Sequence, residues 1–417
     1  MKIFLYELIL VLTLPIGLFG QTGSNTYSAV DQMIATHPIR FSIFRIQPRL
    51  SVGSGYDSNA FGAADVFTAS EIGDYYASVS PGGSLAVKFG RRAFIELNED
   101  VTFLYYRDLE QLRDIFNTTS LRFVTGSHKL LLALGGGYLK RKGPINNEFD
   151  IPAIQESSSG NAELTLALFR KTDLRFAFDV GQSSYERDEN IFTSIPPPPD
   201  SRTIGYGAAM EQLVGRKIHF TVEASAGTTE FRAESESENF DPRSDFRRVL
   251  TGLVFWGNRL VGRATIGFGQ TESTRKEEGA FNDFLINTDV DYKIGRRLAI
   301  GFFAQRNRAV SALLRDNFRI YTEGGFRGSI PLSRRFFVDG EFTIGKNDYG
   351  NQQVFLQQPV IKDTYRQMDA GFNLILLKSL VLRIGGTHLS RDSNIDLLTK
   401  ERFTYEIGLS FEPMTTR

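Results

Sequence analysis

Cysteine is absent from this 417-residue chain. That excludes a disulfide framework, thiolate catalysis, cysteine-held metal and an acylated-cysteine anchor. A charge surplus is also missing, since 48 basic residues balance 48 acidic ones. Nucleic-acid binders carry a clear basic excess, so nucleic acid is not an expected partner. His37, His128 and His219 are far apart in sequence, which leaves no histidine metal cluster. Nothing calls for a cofactor. Mean hydropathy is −0.19, and no long apolar span dominates the chain. Aromatic residues are plentiful by contrast. The 35 phenylalanines and 15 tyrosines against 14 prolines suit a strand-rich protein.

The N-terminus stands apart. Met1-Lys2 followed by the apolar run from Ile3 to Phe19, with Gly20 as last residue, predicts a secretory signal peptide over residues 1–20. The alternative is a transmembrane anchor, but the run is short for a span and ends in a Gly/Gln/Ser-rich stretch. Glu7 and Leu18 depart from the usual pattern and leave the cleavage position open. Residues 21–44 do not alternate cleanly and are expected to form an N-terminal periplasmic arm, with a helical turn around Ala29 to Ala35 as one option.

From residue 45 to 417 one unit recurs. In Glu163 to Val180, Leu164, Leu166 and Leu168 alternate with Glu163, Thr165 and Ala167. After the basic break Arg170-Lys171-Thr172, Leu174, Phe176, Phe178 and Val180 alternate with Arg175, Ala177 and Asp179. Alternation on both sides of a short turn predicts a β-hairpin with one apolar face. Similar short, mostly basic breaks occur at Gly90-Arg91-Arg92, Gly126 to Lys129, Gly215-Arg216-Lys217, Gly257-Asn258-Arg259, Gly295-Arg296-Arg297, Pro331 to Arg335 and Lys378-Ser379. They lie roughly 37 to 45 residues apart, an interval of the kind that marks a repeat architecture. Longer polar breaks fall between them: near Asp108, and over Asn146 to Ser158, Arg187 to Ser201, Ala233 to Asp245, Glu272 to Phe281, Ala309 to Asp316, Tyr349 to Ile361 and Arg391 to Thr399. Another, Asp57 to Gly73, precedes the first short break.

This layout predicts an all-β fold, a transmembrane antiparallel β-barrel of about eighteen strands (16–18), with short periplasmic turns and longer extracellular loops. Strands of about 11 to 14 residues exceed the usual soluble length but suit an inclined bilayer crossing. A β-propeller shares the interval, yet it needs four short strands per repeat where two long ones are found. The faces point the same way. Ile95, Leu97, Val101 and Phe103, or Leu298, Ile300 and Phe302, form outward stripes. Charges collect on the other parity, as they must if a charge facing lipid at mid-membrane costs about 2 to 4 kcal/mol. The candidate pore-lining residues are therefore Glu96, Asp100, Arg122, Glu163, Arg175, Asp179, Glu223, Asp289, Asp291, Lys293, Glu341, Arg383 and Glu406. A bore roughly 35 Å across cannot be filled by wall side chains, so a channel is expected unless loops or the arm plug it.

Charge is segregated along the axis as well. Arginine and lysine crowd the short turns, whereas acids such as Glu148, Asp150, Glu186, Glu234, Glu236 and Glu277 crowd the long loops. A basic inner rim suits anionic lipid heads first, and after them an anionic polymer or an acidic partner. Pro196 to Pro199 stiffen one loop.

Tyr56-Asp57-Ser58-Asn59 ends the first strand, and related endings recur at Tyr106-Arg107-Asp108, Tyr185 to Asp188 and Ser390 to Asn394. Taken alone such clusters are turn chemistry. With the hairpin layout and the closing strand Arg402 to Phe411, they resemble the β-barrel porin-2 type of outer-membrane protein over about Ile46 to Phe411. The resemblance implies a barrel that accompanies exopolysaccharide synthesis and export, with polysaccharide and a periplasmic export component as partners. The closing strand, with Tyr405, Ile407, Leu409 and Phe411 on one face, is similar to the signal read by the barrel-insertion machinery, although Glu412 to Arg417 follow it. One enzyme alternative remains. His388-Leu389-Ser390 puts imidazole and hydroxyl on one strand face, similar to outer-membrane phospholipases, but Arg391-Asp392 replaces the Asn-Gly that follows in those enzymes. The expected role is an outer-membrane conduit for polar solutes, non-enzymatic, with membrane lipid as its surroundings. A structural or surface-interaction barrel is the further alternative.

Overall fold

The computed structural model describes residues 37, 39–60, 72–144, 152–186, 200–232, 243–257, 259–273, 281–295, 298–310, 318–349, 362–394 and 399–413. The expected signal peptide, arm residues 21–36, the Pro196–Pro199 stretch and most of the acidic loop segments lie outside them.

A short strand β1 (Ile39–Phe41) folds onto β2 (Phe44–Asp57) through a tight turn in which Ser42 takes φ 55°. The chain then runs through β3 (Asp74–Phe89), β4 (Ala93–Tyr106), β5 (Asp114–Gly126), β6 (Leu130–Pro144), β7 (Pro152–Phe169), β8 (Thr172–Glu186) and β9 (Asp200–Leu213). It continues with β10 (Ile218–Arg232), β11 (Arg243–Trp256), β12 (Leu260–Ser273), β13 (Phe281–Ile294) and β14 (Leu298–Val310). The last five are β15 (Phe318–Pro331), β16 (Phe336–Tyr349), β17 (Lys362–Leu377), β18 (Leu380–Ser393) and β19 (Lys400–Phe411). Each strand pairs antiparallel with the next, and β19 pairs back onto β2, from Thr404 opposite Asp57 to Phe411 opposite Leu50. Strands β2 to β19 thus close an eighteen-strand barrel, and no sheet edge remains to be satisfied inside a bilayer.

The strands form where the pattern places them. β16 ends at Tyr349 and β17 opens at Lys362, the limits of the predicted long break. One boundary differs. β7 begins at Pro152, well inside the stretch expected to be loop, because its polar residues have partners across the wall. Gln155 accepts from Arg141 Nε at 2.8 Å, and Ser157 and Ser183 hydroxyls lie 2.9 Å apart.

The two faces separate cleanly. Leu97 and Phe103 of β4, Ile300 and Phe302 of β14, and Ile407 of β19 are exposed on the outside, whereas Phe94 and Val124 are buried on the inside. A strand of about fourteen residues inclined at about 40° stands roughly 35 Å tall, and an apolar band needs only about 25 Å. The remainder lies at the long-loop end. There the outward parity becomes charged, with Lys140 2.5 Å from Glu156, and Lys346 2.6 Å from Asp348. The hydrocarbon band therefore sits against the short-turn two thirds of the wall. Glu99 is an outward-parity charge within that band. Its carboxylate accepts a hydrogen bond from Thr119 Oγ1 at 2.5 Å.

Candidate functional site

The inward parity carries a belt of alternating charge, and most of the candidates named from the sequence meet in it. Arg175 on β8 lies 3.5 Å from Glu211 on β9 and 3.8 Å from Glu223 on β10. Arg263 on β12 reaches the same two carboxylates, at 3.8 Å and 2.5 Å. Toward β4 the belt continues through Glu163, which accepts from Thr165 at 3.3 Å and interacts with Arg175. Arg122 follows, directly opposite Glu96 in the β4–β5 register. Asp100, four residues on from Glu96, pairs with Arg49 of β2 at 2.6 Å. In the other direction Arg263 faces Asp289 in register, and Arg327 of β15 clamps Asp289 together with Asp291. Farther round, Arg383 bridges Asp339 at 2.9 Å and Glu406 at 3.3 Å.

The three remaining candidates take these places. Asp179 faces Gly205 in register and interacts with Arg248, which donates to Ser225 at 2.7 Å. Glu341 stands opposite Arg327 and Asp369. Lys293 is exposed near the short-turn end, opposite Ala299. Several members of the belt were not among the candidates: Arg49, Glu211, Arg263 and Arg327. Glu211 and Arg263 belong to strands rich in glycine and alanine, where the outward stripe is too weak to declare the parity. Counting in twos from Tyr206 or Ile266 would have found them.

A second polar layer lies at the long-loop end. Asp57, from the Tyr56-Asp57-Ser58-Asn59 ending, is buried and takes both Nε and Nη2 of Arg402, with Nε at 2.8 and 3.1 Å. It also accepts the Asn59 amide at 3.1 Å, so the motif is a turn and a strand-closing ion pair at once. Arg391 and Asp363 form a comparable buried pair, and Arg319 donates to Asn347 at 2.6 Å.

At the short-turn mouth, His37 from the arm is fully buried against the inner wall. It shares a 2.8 Å hydrogen bond with Ser84 Oγ, and its Nε2 lies 3.5 Å from Glu96. The arm's end therefore lies within the bore.

The His388-Leu389-Ser390 pair is on the outward parity. His388 Nε2 lies 2.9 Å from Glu401 Oε1, and its ring stacks on Phe403 with centroids 4.2 Å apart. His388 Nε2 is thus engaged by a carboxylate on the next strand.

No family model matches the sequence, and no curated protein matches it. Solved structures of similar shape include the FrpB iron transporter of Neisseria meningitidis, with 10% identity and TM-score 0.47 over 87% of this chain and 63% of that one. This chain therefore spans less than two thirds of FrpB. OccAB3 of Acinetobacter baumannii gives 8% identity and TM-score 0.47 over 88% and 99% of the two chains. The outer membrane protein OpdK of Pseudomonas aeruginosa gives 10% and 0.48 over 88% and 98%. With a closed eighteen-strand wall, an apolar band outside and charge within, the chain is an integral outer-membrane β-barrel.

Proposed function

We propose that this barrel is a passive channel for polar solutes. The observation that carries the reading is the belt of paired charges on the inner wall, around a bore too wide for wall side chains to fill. Fixed ion pairs offer donors and acceptors to a hydrated solute without binding it tightly. At one cluster the belt is not symmetric in sign toward the lumen: Asp289 and Asp291 side chains are about half exposed (56% and 47%) while Arg327 is only 24% exposed. There carboxylates meet the solute first and favour cations and neutral polyols over anions.

Within this reading the solute is a polysaccharide leaving the cell, the role implied by the porin-2 resemblance. A periplasmic export component would meet the basic short turns at Arg91-Arg92 and Arg334-Arg335. Insertion would use the Tyr405–Phe411 face of the closing strand. Catalysis is not part of the function, and Ser390→Ala should leave lipid turnover at the background of the natural chain.

The test is conductance of the purified full chain in a planar bilayer. Step currents that fall when neutral oligosaccharide is added support the reading; a barrel that inserts and passes no current contradicts it.

A further inference from the structure

The lipid-facing wall is not smooth. Between β8 and β13 the outward side chains shrink to Ala208, Ala224 and Ala226, leaving a groove of about 850 Å³. Phe176 and Tyr206 rise on one side and Phe268, 71% exposed, on the other. The groove is narrow, apolar and floored by methyl groups, dimensions that suit a hydrocarbon tail better than the flat wall of another barrel.

Its upper end is different. Arg247, exposed and outward, stands opposite Ala226 on one side and Gln270 on the other. It lies four residues in from the long-loop end of β11, roughly 10 Å down the wall at about 3.3 Å per inclined residue. That is the top of the apolar band, the level of lipid head groups. Of the carboxylates on the same face, Asp245 is engaged by Arg243 at 3.2 Å and by Thr228 at 2.7 Å, and Glu272 accepts from Gln270 Nε2 at 2.8 Å. Among the described residues Arg247 makes no hydrogen bond, and its charge acts on Asp245 beside it. A guanidinium fork at head-group level above a tail-sized groove complements a phosphate monoester or diester on an acylated lipid.

We propose that this groove is a binding site for one phosphorylated glycolipid of the outer leaflet, its acyl chain on the alanine floor and its phosphate on Arg247. The leaflet follows from Arg247, which stands at the long-loop end of the groove. The site is independent of what passes through the bore.

Native mass spectrometry of the detergent-purified full chain, with a bisphosphorylated acyl glycolipid added, tests this. The natural chain should retain one glycolipid, and Arg247→Gln should lower retention about tenfold. Ala224→Trp, which fills the groove, should do the same, while both variants keep the heat-modifiable gel mobility of a folded barrel. The same glycolipid stripped of its phosphates should be retained as poorly as by Arg247→Gln. Equal retention by the natural chain and both variants, or of the dephosphorylated lipid, would overturn the site. Preferential retention of phosphatidylglycerol would overturn the choice of leaflet. If Ala224→Trp alone fails to fold, Arg247→Gln and the dephosphorylated lipid still decide.

Discussion

Asp57 and Arg402 lie 345 residues apart, and their ion pair fastens the last strand to the first. The β19–β2 seam carries its register from Thr404–Asp57 to Phe411–Leu50, so beyond it the outer end of β19, Lys400 to Phe403, meets the β2 side through Ser58 and the Asp57 ion pair. Phe403 N donates to Ser58 Oγ at 2.8 Å and Ser58 N to Phe403 O at 2.9 Å beside the ion pair. Both charged side chains are nearly buried, at 2% and 9%. Removing one partner of such a pair strands the other, which costs about 3–5 kcal/mol. Asp57→Asn should therefore destabilise the barrel by about that much, and Arg402→Met similarly. Removing both leaves no orphan charge, so the double variant should cost less than the sum, with a coupling of roughly 2–3 kcal/mol. Urea titration of the chain refolded into vesicles measures this, read by the fluorescence of the single tryptophan, Trp256. An Asp57→Asn cost under about 1 kcal/mol, or strict additivity in the double variant, would refute the reasoning.

Other consequences are as direct. Val101→Arg places a cation on the outward stripe of β4 within the apolar band and should cost about 2–4 kcal/mol in the same titration. Arg327→Gln releases Asp289 and Asp291 from their clamp, so the reversal potential under a salt gradient should shift toward cations. The double change Asp289→Asn with Asp291→Asn should shift it the opposite way.

Legibility in the sequence followed the strength of the local signal. Short turns could be read to within a residue, because Gly90-Arg91-Arg92 or Lys378-Ser379 interrupts two strongly alternating stretches. The inward positions of Glu96, Glu163, Arg175 and Arg383 followed from large apolar neighbours on the opposite parity. Where those neighbours are glycine or alanine, as around Glu211 and Arg263, the stripe fades and the belt's centre was missed. The start of β7 was missed for a related reason: both of its faces are polar near Gln155 and Glu156, so alternation of hydropathy vanishes while the backbone pairing persists. Contacts set by closure left no local trace at all. Asp57 with Arg402, and His37 against Ser84, depend on which strands become neighbours when the sheet curls round.

The cysteine-free chain allows the two faces to be compared at adjacent residues of one strand. Asn98→Cys points into the bore and Leu97→Cys toward lipid, both on β4 and within the apolar band. A charged, membrane-impermeant maleimide applied to the barrel in vesicles should modify the cysteine at 98 and leave the one at 97 unmodified. Equal labelling at both positions, or labelling at 97 alone, would contradict a water-filled interior surrounded by lipid.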